Sequence, residues 1–580
     1  MKRNAPGQRG LLQKLILAPY SVWAALFIVV PLGFVAYYAF TDSNFNFTLD
    51  NITRFFTATS TVTEGEISRE VHTYLLIFAR SLKLAVISTF ICLLMGYPMA
   101  YIMSRSSSRT QKVLVTLIMI PMWMNFLIRT YAWMTILQDT GIFNGLLGLI
   151  GLGPVHIIGT ESAVVIGMVY DYFPYMILPI YSIMAKMDVK LIEAAKDLGC
   201  NSLGVLRRVI WPLSLPGVIS GIIMVLIPSI STFYISQKLG NGKFYLIGDA
   251  IEGQYVANNL HFAAAIAFIL MVILLVCMAF MQRYANKRPL SPEPERRENT
   301  MKPASKVFTA LIMIFLFAPI VILLVFSFNE AKSLSVFSGF SLYWYRELFR
   351  DSETLNAVKN TLVLAVCAAA ISTVMGTAAA VGINKLRNRY LHAVMDTVTN
   401  IPMINPEIIT GISLLLMFVF VGRLFGAATS LSFWTLLIAH VTFCLPYVIL
   451  QVLPKLQQMD KSLPEAAMDL GCTPLRAFLK VEIPEILPGV ITGMIMAFTL
   501  SLDDFVISYF TTGNGFQTLP IRIYNMTKKT VTPKMYALAT IIFFVILALL
   551  LISNLSDSDS SQTIHAARQK RKNAKAQNHV

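Results

Sequence analysis

The octapeptide EAAKDLGC at 193–200 returns as EAAMDLGC at 465–472, with a single letter changed and an offset of 272 residues. The offset holds well beyond the octapeptide. PYMILPIYSIMAKMDVKLIEAAKDLGC (174–200) lies over PYVILQVLPKLQQMDKSLPEAAMDLGC (446–472), and PLSLPGVISG (212–221) over PEILPGVITG (484–493). Upstream, Gly96 pairs with Gly376, Pro121 with Pro402, and PLGFVAYYAF (31–40) with PIVILLVFSF (319–328). The chain is therefore one unit written twice.

The surroundings of the octapeptide set the fold class. The chain is 56% hydrophobic and 13% charged, against about 25% charged in soluble domains. Crossing a bilayer takes about 20 mostly apolar residues, and twelve stretches qualify. They are 15–40, 74–103, 112–138, 162–187, 210–238 and 259–282, then 307–328, 356–384, 391–421, 432–456, 483–510 and 535–555. The expectation is an all-α integral membrane protein of two parallel six-helix transmembrane repeats. Residues 1–281 form the first half and 307–555 the second. The charged, proline-bearing segment 282–306 links them, and 556–580 is a disordered basic tail. An even number of spans per half gives both halves one orientation, so the pseudo-two-fold axis runs along the membrane normal, unlike the inverted repeats of many secondary transporters.

The charge of +16 needs no nucleic-acid partner, because it follows the membrane. With the N-terminus inside, the inner segments hold about thirty Lys and Arg and the outer ones about eleven, the bias that orients membrane proteins. Both termini and both octapeptides then lie in the cytoplasm, with lipid around the bundle. The loops 41–72 and 329–354 then lie outside. Six cysteines form no CxxC pair, so no metal site is expected.

Glu193 to Leu198 and Glu465 to Leu470 favour helix, and Gly199 and Gly471 are natural helix stops. Asn201 or Ser202, and Thr473-Pro474, can begin a second short helix. Two matching cytoplasmic helices imply two matching partners, or a symmetric dimer of one. This pattern resembles the EAA loop of type I ABC importer permeases that work with a binding protein. Its copies here span 188–208 and 460–480. The resemblance implies that Glu193, Ala194, Ala195 and Gly199, with Glu465, Ala466, Ala467 and Gly471, dock two copies of a cytoplasmic ABC ATPase. The chain has no GxxxxGK[ST] motif, so it is expected not to be an enzyme and to bind no cofactor, ATP and Mg belonging to the partner subunits.

Charged groups inside spans are functional candidates by default. Asp503 and Asp504 in SLDDFVISYF, Glu407 in IPMINPEIITG and Asp171 in VYDYFPY are such groups, and aromatics crowd them, Tyr234 included. Carboxylates with aromatic walls suit an organic cation. The segments RTYAWM (129–134), STFYISQKLGNGKFYLIGDAI (231–251), WYRELF (344–349), PEIITGISLL (406–415) and SLDDFVISYF (501–510) are similar to the two permease subunits of spermidine/putrescine importers, here fused in one chain. That resemblance implies a polyamine importer in a bacterial inner membrane, served by an extracytoplasmic polyamine-binding protein. Its substrate path would use Glu407, Asp503, Asp504, Asp171, Trp344 and Tyr234. Fused permeases for ferric iron or thiamine share the layout. An ion-coupled carrier, needing no ATPase, is the reading from another class.

Overall fold

The computed structural model describes residues 17–285 and 303–548, apart from 65–66, 333–336, 387, 427–430, 461, 514, 529–531 and 546. The tail 556–580 and most of the linker 282–306 lie outside the described residues. Among the described residues, ten helices are long and apolar enough to cross a membrane, and eleven if one bent pair counts as a single span. Of the twelve expected stretches, 535–555 is described as the helix Pro533–Val545 and a few residues beyond it. Two others are divided. The stretch 112–138 becomes Ser108–Met122 and Phe126–Leu137, and the chain bends by 88° between Ser108–Met122 and Phe126–Leu149. The stretch 391–421 becomes Arg389–Ile404 and Glu407–Leu424. The second division has a local cause. Proline drives the residue before it out of the helical region, and Asn405, before Pro406, sits at φ −74°, ψ 135°.

The fifth span of each half is also broken. Trp211–Ser231 stops at Thr232 before the short helix Tyr234–Leu239, and Ile483–Asp503 stops at Asp504 before Val506–Thr511. At the octapeptide ends of these spans, Leu206–Ile210 and Phe478–Glu482 form π-turns at matching repeat positions. Such turns are rare and cluster at functional sites. Each fifth span is thus a 21-residue rod held between a π-turn and a break. The rods pack on the fourth spans through glycine. A Cβ on Gly217 would fall 2.8 Å from the Pro179 carbonyl oxygen, and one on Gly489 2.8 Å from that of Gln451. Small residues of this kind let membrane helices approach closely.

The halves exchange their first spans. Leu17, Tyr20, Ala24 and Ile28 are buried in the core of the second half. There the Tyr20 and Thr399 hydroxyls share a hydrogen bond and the Trp23 indole donates to Thr442 Oγ1 at 3.1 Å. In return, Ile312 and Leu316 of the helix Pro303–Phe326 are buried in the core of the first half, where Tyr170 Oη donates to the Leu316 carbonyl at 3.1 Å. A third core, containing Phe505, Tyr234 and Tyr524, joins the two halves.

At the end of the bundle remote from the octapeptides, Asp351 caps the span Ser352–Asn384 and pairs with Lys534 Nζ at 2.7 Å. Burial works against its charge, but hydrogen bonds from Lys534 and Thr354 and the lysine charge hold the carboxyl well below the ordinary carboxylate range. A depressed native pKa contributes stability above the unfolded value of about 3.9, which is lost as pH falls through the native one. Asp351→Asn is therefore expected to lower Tm at pH 7 and to lessen its fall between about pH 4 and pH 2, read by thermal unfolding in detergent.

Candidate functional site

Both octapeptides fold alike. Lys190–Asp197 and Ser462–Asp469 are short helices. Each ends on a glycine in the left-handed region, Gly199 at φ 83° and Gly471 at φ 91°. The amide of Cys200 bonds the Ala195 carbonyl at 3.0 Å, and that of Cys472 the Ala467 carbonyl at 3.0 Å. These are the closing bonds of a glycine-terminated helix. Asn201 Oδ1 then accepts from the Gly204 amide at 2.7 Å and Thr473 Oγ1 from that of Arg476 at 3.4 Å, starting the next turn. Glu193, Ala194, Glu465 and Ala466 are exposed, Ala467 is half-buried, and Ala195 turns inward. Sequence reasoning passed over Leu198 and Leu470, which stand at the two tips with 86% and 87% of their surface exposed. Their place in the repeat was the available signal. Matching bare leucines thus stand on matching polar loops.

The four span breaks meet between the halves. Asn125 Oδ1 accepts from the Leu127 amide at 3.1 Å and so caps Phe126–Leu137, while its Nδ2 donates to Asp503 Oδ1 at 2.7 Å. The third-span break of one half is thereby tied to the fifth-span break of the other. Rings close over this point. Phe126 stands 5.8 Å from Tyr234 and 5.9 Å from Phe505, Phe233 stands 5.9 Å from Phe505, and Phe505 stands 4.8 Å from Tyr524. Phe233, Tyr234, Phe505 and Tyr524 are all buried, and together they form an aromatic seal. Lys238 Nζ lies 5.7 Å from the Tyr234 ring centroid and Lys528 Nζ 4.4 Å from that of Tyr524, so these faces already attract ammonium groups.

The structure separates the expected path residues. Glu407 opens the helix Glu407–Leu424, and its side chain is exposed although it sits deep in the protein, within electrostatic reach of Asp503, Asp504, Tyr172, Tyr175 and Tyr447. Tyr175 is exposed there, while its repeat mate Tyr447 and Asp503 are half-buried. Neither tyrosine stood among the expected path residues, although both were visible as the aligned Pro-Tyr pairs.

The other expected residues have structural partners. Asp171 and Arg129 form a buried ion pair at 3.1 Å, and Thr130 Oγ1 donates to the other Asp171 oxygen at 3.3 Å. Asp504 is buried and accepts from the amides of Ile507 and Ser508 at 3.3 and 2.8 Å, capping the short helix beyond the break. His440, bonded to Ser501 and Ser508 across that break, lies 3.5 Å from Asp504. Trp344 is buried and its indole donates to the Asn329 carbonyl at 2.8 Å. Tyr234 belongs to the seal. These placements leave Glu407 and Asp503 as the accessible carboxylates among the expected path residues.

Comparison with known proteins agrees with this architecture. The pattern of the family described as binding-protein-dependent transport system inner membrane component matches twice, over residues 93–290 and 372–558. The putrescine transport system permease protein PotI of Escherichia coli K12 is 42% identical over 231 residues, covering 39% of this chain and 81% of its own. The spermidine/putrescine permeases PotC and PotB of Haemophilus influenzae are 38% and 36% identical, covering 43% and 47% of this chain and 94% of their own lengths. A bacterial ABC transporter that imports alginate aligns over 48% of this chain and 96% of its own with 18% identity and a TM-score of 0.40. The chain belongs to the family of binding-protein-dependent inner membrane transport components, and with two copies of the family unit it is a type I ABC importer permease.

Proposed function

We propose that the chain forms the translocation path of an ATP-driven polyamine importer. An extracytoplasmic binding protein delivers a protonated amine such as putrescine or spermidine, and two cytoplasmic ATPase subunits grip the EAA loops at Glu193–Gly199 and Glu465–Gly471. Closure of the ATPases pushes the two loops together. Each push passes through a π-turn into a rigid fifth span whose far end is the break at the seal, so movement at the cytoplasm is delivered where the rings meet. Both termini are then cytoplasmic.

The observation that supports the substrate class is the pair of accessible carboxylates, Glu407 and Asp503, in the neighbourhood of Tyr172, Tyr175 and Tyr447. A carboxylate gives an ammonium a charge-assisted hydrogen bond, and a ring face adds about 0.5–2 kcal/mol. The printed names of the relatives point the same way. The test is uptake by membrane vesicles holding the full complex. Labelled spermidine should enter and be displaced by putrescine, not by thiamine or ferric iron, and displacement by either of the latter would overturn the reading. Asp503→Asn and Glu407→Gln are each expected to cut spermidine kcat/KM about 10- to 100-fold, the worth of one hydrogen bond to a charged group.

A further inference from the structure

A second acidic site lies at the end of the bundle remote from the EAA loops. The helix Ile247–Val256 carries Asp249 and Glu252, 3% and 9% exposed, on one wall of a cavity of about 210 Å³. Gln237, Gly242, Phe244, Tyr245 and Gly253 complete the lining. The volume is several times the roughly 30 Å³ of one water and below the 300–1,000 Å³ of drug-sized sites. It fits one alkylammonium end.

The acids are unequally satisfied. Asp249 Oδ2 accepts from Ser236 Oγ at 2.7 Å and the Leu246 amide at 2.8 Å, while its Oδ1, equally buried, has no partner. Glu252 Oε1 accepts from Tyr509 Oη at 2.8 Å and Tyr524 Oη at 3.3 Å, and Oε2 lies 3.5 Å from the Gln237 amide nitrogen. Among the described residues no ion pair reaches either acid. Lys238, the nearby cation, donates instead to the Thr527 carbonyl at 2.7 Å. A buried carboxylate oxygen with nothing to accept from is costly and calls for a donor. An ammonium brings three donors and no acceptor.

The repeat gives the site a direction. At the offset of 272, Asp249 and Glu252 answer to Ile521 and Tyr524. The two acids of this site thus belong to the first half, whereas the central Glu407 and Asp503 belong to the second. Glu252 touches its own repeat mate, Tyr524, at the seal.

We propose that Asp249 and Glu252 form an outer subsite that receives one protonated amine of the substrate before the seal opens. An ammonium seated there competes with Tyr509 and Tyr524 for Glu252, so occupancy loosens Tyr524 of the seal and Tyr509, whose ring stands 5.3 Å from it. The subsite rests on the polyamine reading above.

The test is spermidine uptake against concentration in vesicles holding the complete complex. Glu252→Gln and, independently, Asp249→Asn are expected to raise KM about tenfold while Vmax falls far less, and Glu252→Asp should recover part of the loss. Tyr524→Phe removes a hydroxyl that competes with the ammonium for Glu252 but keeps the carboxylate charge, and its KM should fall. A wild-type KM in both acid variants overturns the subsite, as does a tenfold rise in Tyr524→Phe, which would assign Glu252 to the seal alone. If the unaltered complex takes up no polyamine, the substrate reading itself fails and the subsite with it.

Discussion

Gly471→Pro is expected to reduce substrate uptake about 100-fold or more while the chain still inserts into the membrane. Gly471 sits at φ 91°, whereas proline is held near −65°. Proline also removes the amide that donates to the Met468 carbonyl at 3.0 Å. Both losses fall on the turn that ends the second docking helix and aims Leu470 outward. The cost of such a break is about 3 kcal/mol or more, about two decades in an equilibrium constant. The site is otherwise open, since a Cβ on Gly471 would meet nothing within 4 Å. Gly471→Ala therefore carries only the strain of the left-handed angle, about 1–2 kcal/mol, and should lose uptake more mildly. The same order is expected at Gly199. Uptake, together with ATPase subunits retained on purification, reads the effect, and Gly471→Pro with wild-type transport would remove the second EAA loop from the coupling route.

The largest loss of stability is expected from Asp171→Ala. Arg129 and Asp171 have side chains 7% and 4% exposed, and the guanidinium lies 5.8 Å from the Tyr170 ring centroid. Removing the acid strands a buried cation, which costs about 3–5 kcal/mol, whereas replacing both partners with apolar residues of similar volume is often neutral. Thermal unfolding in detergent should show a large fall in Tm for Asp171→Ala and a much smaller one for Arg129→Met with Asp171→Leu. Equal losses in the two would mean that the pair is not a closed unit. A large uptake defect in a well-folded double variant would return Asp171 to the substrate path.

The two carboxylates most alike in sequence, Asp503 and Asp504, part company for a local reason. The helix ends between them, so Asp504 turns back to cap the next turn and Asp503 meets Asn125 from the other half. Hydropathy marks both as in-span acids and cannot say which one finds amides to bind. Glu252 went unremarked because it stands in a loop-like stretch, and its burial comes from Tyr509 and Tyr524, more than 250 residues away.

The sequence alone determined the membrane class, the doubled unit and the two octapeptide helices with their glycine stops. These depend on apolar runs long enough to cross the bilayer and on backbone angles that glycine tolerates, both local properties. The breaks at Pro406 and beside Asp504 are local in cause as well, but their meeting is not. Only the tertiary structure decided that the first spans change sides, that four breaks converge under one aromatic seal, and which acids face open space. Each of these is settled by packing between residues hundreds of positions apart, as in Tyr20 against Thr399. The free energy of such contacts depends on what arrives from the other half, which no window along the chain contains.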